Sequence, residues 1–154
     1  MAIYNIVTQE YKLLRKKSQA VPEITPNVIK LLDRMQETMY AAHGVGLAAP
    51  QVGILKRVVV IDVGEEGPGV LRLINPEILE RSGVQNGPEG CLSCPGMYGD
   101  VKRSQYVKVK ALNEQGEEMI IEAEDFLARA LQHEIDHLEG ILFIDTATNL
   151  EYEK

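Results

Sequence analysis

The chain has 154 residues, enough for a sizeable core, and is expected to form a single domain over residues 1–154. A net charge of −7 and an isoelectric point near 5.0 argue against a nucleic-acid footprint, and no apolar run approaches membrane-spanning length. Met1-Ala2-Ile3-Tyr4-Asn5 lacks the charged-then-apolar order of a secretion signal, so two cysteines fit a reducing interior and a cytoplasmic location is expected.

Lys12, Arg15, Lys16 and Lys17 form a local basic patch that reads as solvated surface. The first strong element opens at Thr25-Pro26, a capping residue followed by proline at the first helical position. Val28, Leu31, Leu32, Met35, Met39 and Ala42 then recur at helical spacing, and Gly44 is the expected stop. Gly44-Val45-Gly46-Leu47-Ala48-Ala49-Pro50-Gln51 reads as a tight connection with close backbone approach. No lysine follows its glycines, so it is not a phosphate loop.

The middle of the chain predicts strands. Arg57 to Val63 is rich in β-branched residues, Val70 to Ile74 is a short run closed by Asn75-Pro76, and Ile78 to Arg81 is a third. Tyr106 to Leu112 alternates, and Asn113-Glu114-Gln115-Gly116 supplies a hairpin turn before Met119 to Ala123. A last helix is predicted from Glu124 or Asp125 to Glu139, stopped by Gly140. Strands cluster first and this helix comes late, which predicts an α+β fold. Small antiparallel or mixed sheets would pack around the C-terminal helix, with an N-terminal amphipathic helix.

That helix carries His133-Glu134-Ile135-Asp136-His137. Imidazoles at i and i+4 share one helix face and can grip one metal ion, while the intervening glutamate is placed to handle the proton of a metal-activated water. Phe126, Ala130, His133 and His137 share this face, and Leu127, Leu131, Ile135 and Leu138 make an adjoining apolar stripe. The histidines therefore stand at the margin of a buried surface.

The pattern asks for a third ligand. The remaining histidine, His43, precedes Gly44, and Phe143 stands where metzincin peptidases place their third histidine. Too little chain follows His137 for the second helix of a thermolysin-like site, leaving Asp145, Glu151 and Glu153 near an end expected to fray. Upstream, Glu89-Gly90-Cys91-Leu92-Ser93-Cys94-Pro95-Gly96 offers two thiols as a C-x-x-C. Pro95-Gly96 argues against the helix that a thioredoxin-like dithiol would open. Two imidazoles and one thiolate would leave a catalytic position open, whereas both thiols and both imidazoles would close a structural zinc site. A metallopeptidase, a metallohydrolase of another kind and a non-catalytic zinc module all remain compatible with the spacing.

Three blocks taken together, Gly44 to Gln51, Glu89 to Ser93, and Gln132 to Gly140, resemble the bacterial-type peptide deformylases, and the resemblance spans nearly the whole chain. It implies Cys91, His133 and His137 as metal ligands, with Cys94 outside them. It also implies Glu134 as general base and then acid, and Gln51 and the Leu92 N–H as stabilisers of the oxyanion. The Gly46 carbonyl would receive the formamide N–H. Val45 and Gly90 would pair with the substrate backbone, while Phe126, Ala130 and the stem of Arg129 line the methionine pocket. The implied activity is hydrolysis of the N-formyl group of N-formylmethionyl peptides and nascent proteins, releasing formate. The implied cofactor is one divalent ion, Fe2+ in the cell, with Zn2+, Ni2+ or Co2+ possible in a purified sample. Were Cys94 to lie near Cys91, loss of metal would allow the two to form a disulfide. Many members continue into a long basic C-terminal helix associated with ribosome docking. Asn149 to Lys154 is too short and too acidic for it, so stable docking by that route is not expected, nor is direct nucleic-acid or membrane binding.

Overall fold

The computed structural model describes residues 3–65 and 67–153. Readings that involve Met1, Ala2 and Lys154 lie outside the described residues. Helix α1 spans Pro26–Ala41 and helix α2 spans Asp125–Leu138. The strands are β1 Gly46–Ala48, β2 Val58–Ile61, β3 Leu71–Ser82, β4 Gln85–Cys91, β5 Cys94–Arg103, β6 Tyr106–Leu112, β7 Glu118–Glu124 and β8 Thr148–Tyr152. They form a five-stranded sheet in the order β1-β2-β3-β6-β7 and a three-stranded sheet in the order β4-β5-β8, every pair antiparallel. The α+β expectation holds.

The larger sheet lies between the two helices. Its pleat sends alternate residues to opposite faces. Val59 and Ile61 of β2 join Leu73, Val107 and Val109 against Leu131, Ile135 and Leu138 of α2. Val58 and Val60 join Leu47 and Ile74 against Leu31, Leu32, Met35 and Met39 of α1. This is why β2 reads Val-Val-Val-Ile without alternation: both of its faces are covered. A third cluster, with Cys94, Met97, Val101, Leu142 and Phe143, packs under the smaller sheet.

Four local expectations are corrected. The left-handed residue ending α1 is His43 (φ 57), not Gly44. The His43 N–H reaches the Tyr40 carbonyl at 3.0 Å and the Gly44 N–H reaches Met39 at 2.9 Å, a Schellman cap. At Gly44 a Cβ would stand 2.7 Å from the Leu92 Cδ1, so a larger residue would have to displace the tip of that side chain. The glycine-rich segment is not only a connection but holds β1. The two runs flanking Asn75-Pro76 form one strand, with register shifts at Ile74/Glu77 and Ile78/Glu80. Asn75 takes a left-handed conformation (φ 52), and its side-chain amide clips both the N–H and the carbonyl of Val21, at 2.8 and 2.9 Å. Lastly, the end expected to fray holds strand β8 as far as Tyr152, where Glu151 pairs with Tyr98.

The hairpin at Asn113 forms as its residues demand. The Asn113 side-chain oxygen accepts from the N–H groups of Gln115 and Glu117, and Gly116 takes a positive φ of 79. Helix α2 ends in a second Schellman cap with Gly140 (φ 77) as the left-handed residue; its N–H reaches His137, and that of Ile141 reaches Asp136. Arg57 adds to this terminus, donating to the Leu138 carbonyl at 3.2 Å and pairing with Glu139 at 2.7 Å.

Candidate metal centre

Two elements converge at one end of α2. The helix presents His133 and His137, whose ring centroids are 5.1 Å apart. The β4–β5 hairpin brings Cys91 to them, with its Sγ 3.3 Å from the His137 Nε2. Among the described residues these three offer ligand atoms that all lie within 4.8 Å of one another. His43, Asp145, Glu151 and Glu153 do not join the group. Asp145 instead pairs with Arg15 at 2.6 Å and accepts from the Leu142 N–H at 3.0 Å. Phe143, at the metzincin histidine position, stacks near the His133 ring at a centroid distance of 6.1 Å.

Orientation of His133 comes from Glu89, a residue given no role by sequence reading alone. The His133 Nδ1–H donates to Glu89 at 2.8 Å, which turns Nε2 toward the centre. Glu89 is in turn gripped by Arg103 through two hydrogen bonds of 2.8 Å and by Arg129 at 2.5 Å. Arg103 also reaches Asp136 on α2 at 2.6 Å. All of these side chains except Asp136 are buried. Burial would push the Glu89 carboxyl up, but the hydrogen bonds and charges of Arg103 and His133 bring it down to about 2, so it is a carboxylate. The signal that could have found it is chemical: a ligating histidine needs an acceptor for its second nitrogen, and a glutamate stands two residues from the thiol.

The remaining electrostatics follow from burial. Burial together with the nearby His133 holds His137 well below the ordinary imidazole range, hence neutral with a lone pair to give. His133 is also desolvated, but the Glu134 and Glu89 carboxylates outweigh that and raise it. Glu134 is pushed up to about 7 by burial, against the pull of His133. The Cys91 thiol is raised by its hydrogen bond with Cys94, by burial and by Glu134. A divalent cation bound here would reverse this balance, because it would hold the sulfur as thiolate and compete with protons for the imidazoles.

The residues fit such a cation. A sulfur and two nitrogens suit a divalent transition metal and leave at least one position free on a tetrahedral ion. Within the described residues, Glu134 Oε1 is buried without a hydrogen-bond partner, a polar atom left for a group the site would take in. Glu134 Oε2 lies 3.9 Å from the His133 Nε2.

A cavity of about 500 Å³ opens onto this centre. Its lining includes Val45, Gly46, Gln51, Gly90, Leu92, Phe126, Arg129 and Ala130, so the sequence-derived site residues meet in one place. Gln51 is buried; its amide nitrogen donates to the Ser93 hydroxyl at 3.1 Å and lies 3.5 Å from the Cys91 Sγ. Its amide oxygen accepts from the Ala48 N–H at 2.9 Å. Gly46 lies so close to Glu134 that a Cβ would stand 2.5 Å from Oε2. The Val45 carbonyl is already taken by the Asp62 N–H at 2.8 Å. Phe126 is half exposed at the cavity mouth, whereas the Arg129 guanidinium is drawn away to Glu89 and to the Gly87 and Val101 carbonyls, leaving its stem on the wall.

Comparison with known proteins gives this arrangement its relatives. The family model described as Polypeptide deformylase matches residues 3–153. A protein named Peptide deformylase from Desulfitobacterium hafniense is 61% identical over 147 residues, covering 96% of each chain. Peptide deformylase 1 of Clostridium acetobutylicum is 61% identical over 151 residues, covering 98% of this chain and 99% of its own. The crystal structure of peptide deformylase from Thermotoga maritima superposes with a TM-score of 0.92 at 44% identity, over 96% of this chain and 99% of that one. The Synechococcus elongatus peptide deformylase solved in complex with actinonin gives 0.90 at 41% identity, over 95% of this chain and 79% of that one. Motif order, fold, a Cys-His-His group able to hold a metal and end-to-end similarity agree, and the chain belongs to the polypeptide deformylase family.

Proposed function

We propose that residues 1–154 act as one catalytic domain that removes the formyl group of N-formylmethionyl peptides and nascent proteins as formate, with Cys91, His133 and His137 holding the metal. The observation that carries this reading is the convergence of those three ligand atoms within 4.8 Å beside a buried, unpartnered glutamate oxygen. A divalent cation bound there would supply Lewis acidity toward the formyl oxygen and lower the pKa of water.

The protein's own groups do the remainder. Glu134 accepts the proton of the attacking water and returns it to the departing amine. Burial raises that proton affinity above an ordinary glutamate's, and a cation beside the carboxyl would draw it down again. The Gln51 amide and the Leu92 N–H donate to the oxygen on which negative charge develops, each contributing about 3 kcal/mol if well placed. The Gly46 carbonyl accepts the N–H of the formamide. Val45, with its carbonyl engaged by Asp62, would offer its N–H to the substrate backbone, opposite Gly90. Phe126, Ala130 and the apolar stem of Arg129 receive the methionine side chain. The narrow approach between Gly46 and Glu134 would admit a formyl group and exclude bulkier acyl groups.

Among ions that suit one sulfur and two nitrogens, we assign ferrous iron as the working metal and a cytoplasmic location, where the thiolate stays reduced. No helix of the described residues is long and apolar enough to cross a membrane. Formate release from formyl-Met-Ala under anaerobic conditions, set against unformylated Met-Ala, tests the reaction. The Glu134→Ala variant should retain the metal and lose turnover by at least ~100-fold. Cleavage of the unformylated peptide, or undiminished turnover in the variant, would overturn the reading.

A further inference from the structure

The hydrolysis leaves Cys94 without a task. It opens β5 and is the register partner of Cys91, the last residue of β4, so the two cysteines face each other across a turn made by Leu92 and Ser93. Facing residues of an antiparallel pair have Cα atoms roughly 4.5–5.5 Å apart, within the ~4.4–6.8 Å that a disulfide spans. Both cysteines are reduced and both line the cavity. Their exposure differs: Cys91 is half-buried, whereas Cys94 is 1% exposed. An oxidant entering the cavity would therefore meet Cys91 first. The Cys91 Sγ also lies 3.3 Å from the His137 Nε2, so one sulfur stands between the metal centre and a second thiol.

We propose that Cys91 and Cys94 form a thiol switch gated by the metal: when the cation is lost, a peroxide closes a Cys91–Cys94 disulfide that withdraws the sulfur ligand until a thiol reductant reopens it. This rests on the reading of Cys91 as a metal ligand. In the first step the Cys91 sulfur attacks the peroxide O–O bond. An S–O bond forms, the O–O bond breaks, and hydroxide or alkoxide leaves and takes the Cys91 proton as water or alcohol, so the sulfur loses two electrons and the peroxide gains them. In the second, the Cys94 sulfur attacks that of Cys91, the S–S bond forms, the S–O bond breaks and water departs with the Cys94 proton. Two equivalents of a thiol reductant reverse the change. Cys94 thereby acts as a resolving thiol, catching Cys91 at the sulfenic stage before the irreversible sulfinic and sulfonic stages. The bound cation opposes the first step because it occupies the sulfur lone pair.

The test uses the full chain loaded with zinc, which is redox-silent, and exposed to hydrogen peroxide with and without a chelator. Intact mass is read under non-reducing conditions, and zinc uptake is read after dithiothreitol. The chelated parent should lose about 2 Da and regain both its mass and its full zinc stoichiometry on reduction. Chelated Cys94→Ser and Cys94→Ala proteins should instead gain about 32 or 48 Da and recover neither, while the metal-loaded parent stays unchanged over the same exposure. Gain of oxygen by the chelated parent, no oxidation of it at all, or equal disulfide formation with zinc bound would each overturn the proposal. Zinc content of untreated Cys91→Ser protein judges the ligand assignment separately: full zinc there would remove that assignment, leaving the mass change to decide the disulfide.

Discussion

Replacing the Glu89 carboxylate by an amide of the same shape would leave Arg103 and Arg129 with less charge than their burial requires, since each donates to it at 2.5–2.8 Å. Glu89→Gln should cost about 3–5 kcal/mol of stability, read by denaturant unfolding. Glu89→Gln should also weaken metal binding by about 10–100-fold, read by chelator competition, because the charged acceptor that sets the His133 tautomer is gone. Gly46→Ala makes a different prediction. Its new methyl would press on Glu134 rather than on Cys91, His133 or His137, so turnover should fall by at least ~10-fold with metal content unchanged, read by kinetics alongside metal analysis. The histidine pair was legible in the sequence because helical spacing alone puts both rings on one face. The arrival of Cys91, 46 residues from His137, was implied by the resemblance of the three blocks but hidden from spacing, which says nothing about where a hairpin folds back. The Glu89–Arg103–Arg129 cluster was equally hidden, because a charged residue is committed to burial only by the partners that meet it in space.

Among the elements, the two helices and the β6–β7 hairpin were the most legible, for their signals are local: Pro26 in the first turn of α1, Gly140 after α2, a 3.6-residue period, and an Asn-to-Gly turn, whereas Thr25 makes no side-chain capping hydrogen bond. Strands β4, β5 and β8 were missed. Gln85–Cys91 is polar and glycine-containing, and Thr148–Tyr152 has little apolar surface, so each is held by its neighbour in the sheet rather than by its own pattern. The stop of α2 can be tested directly. Gly140 has a φ of 77, and a Cβ there would stand 2.4 Å from the Arg15 carbonyl oxygen, so Gly140→Ala should lower stability by more than about 1 kcal/mol in thermal or denaturant unfolding. The β6–β7 pair makes a pH prediction. Tyr106 donates to Glu122 at 2.6 Å, and that hydrogen bond to a carboxylate lifts the phenol to about 12. The folded state favours the neutral phenol, so this contribution is complete below the usual tyrosine pKa of about 10 and fades as the pH rises toward 12. Absorbance titration should show a last phenolate phase that is missing from Tyr106→Phe.

At the scale of the molecule, α2 is shared between the larger core and the candidate metal centre. Leu131, Ile135 and Leu138 seal it to the sheet while His133 and His137 reach Cys91 on the hairpin of the smaller sheet. A cation that bridged helix and hairpin would bind the folded chain in preference to the unfolded one. At about 1,000 times its dissociation constant it should add about 4 kcal/mol, a rise in Tm of roughly 10 °C that a chelator removes, read by calorimetry. Strand β1 carries a consequence of another kind. It is the outermost strand of its sheet and only three residues long, with the cavity beside it. A guest chain laid along so short a border can be registered by its leading residues alone, and whatever follows them passes out of reach. Such a border would make the enzyme indifferent to the identity of the protein being finished and attentive only to how that protein begins.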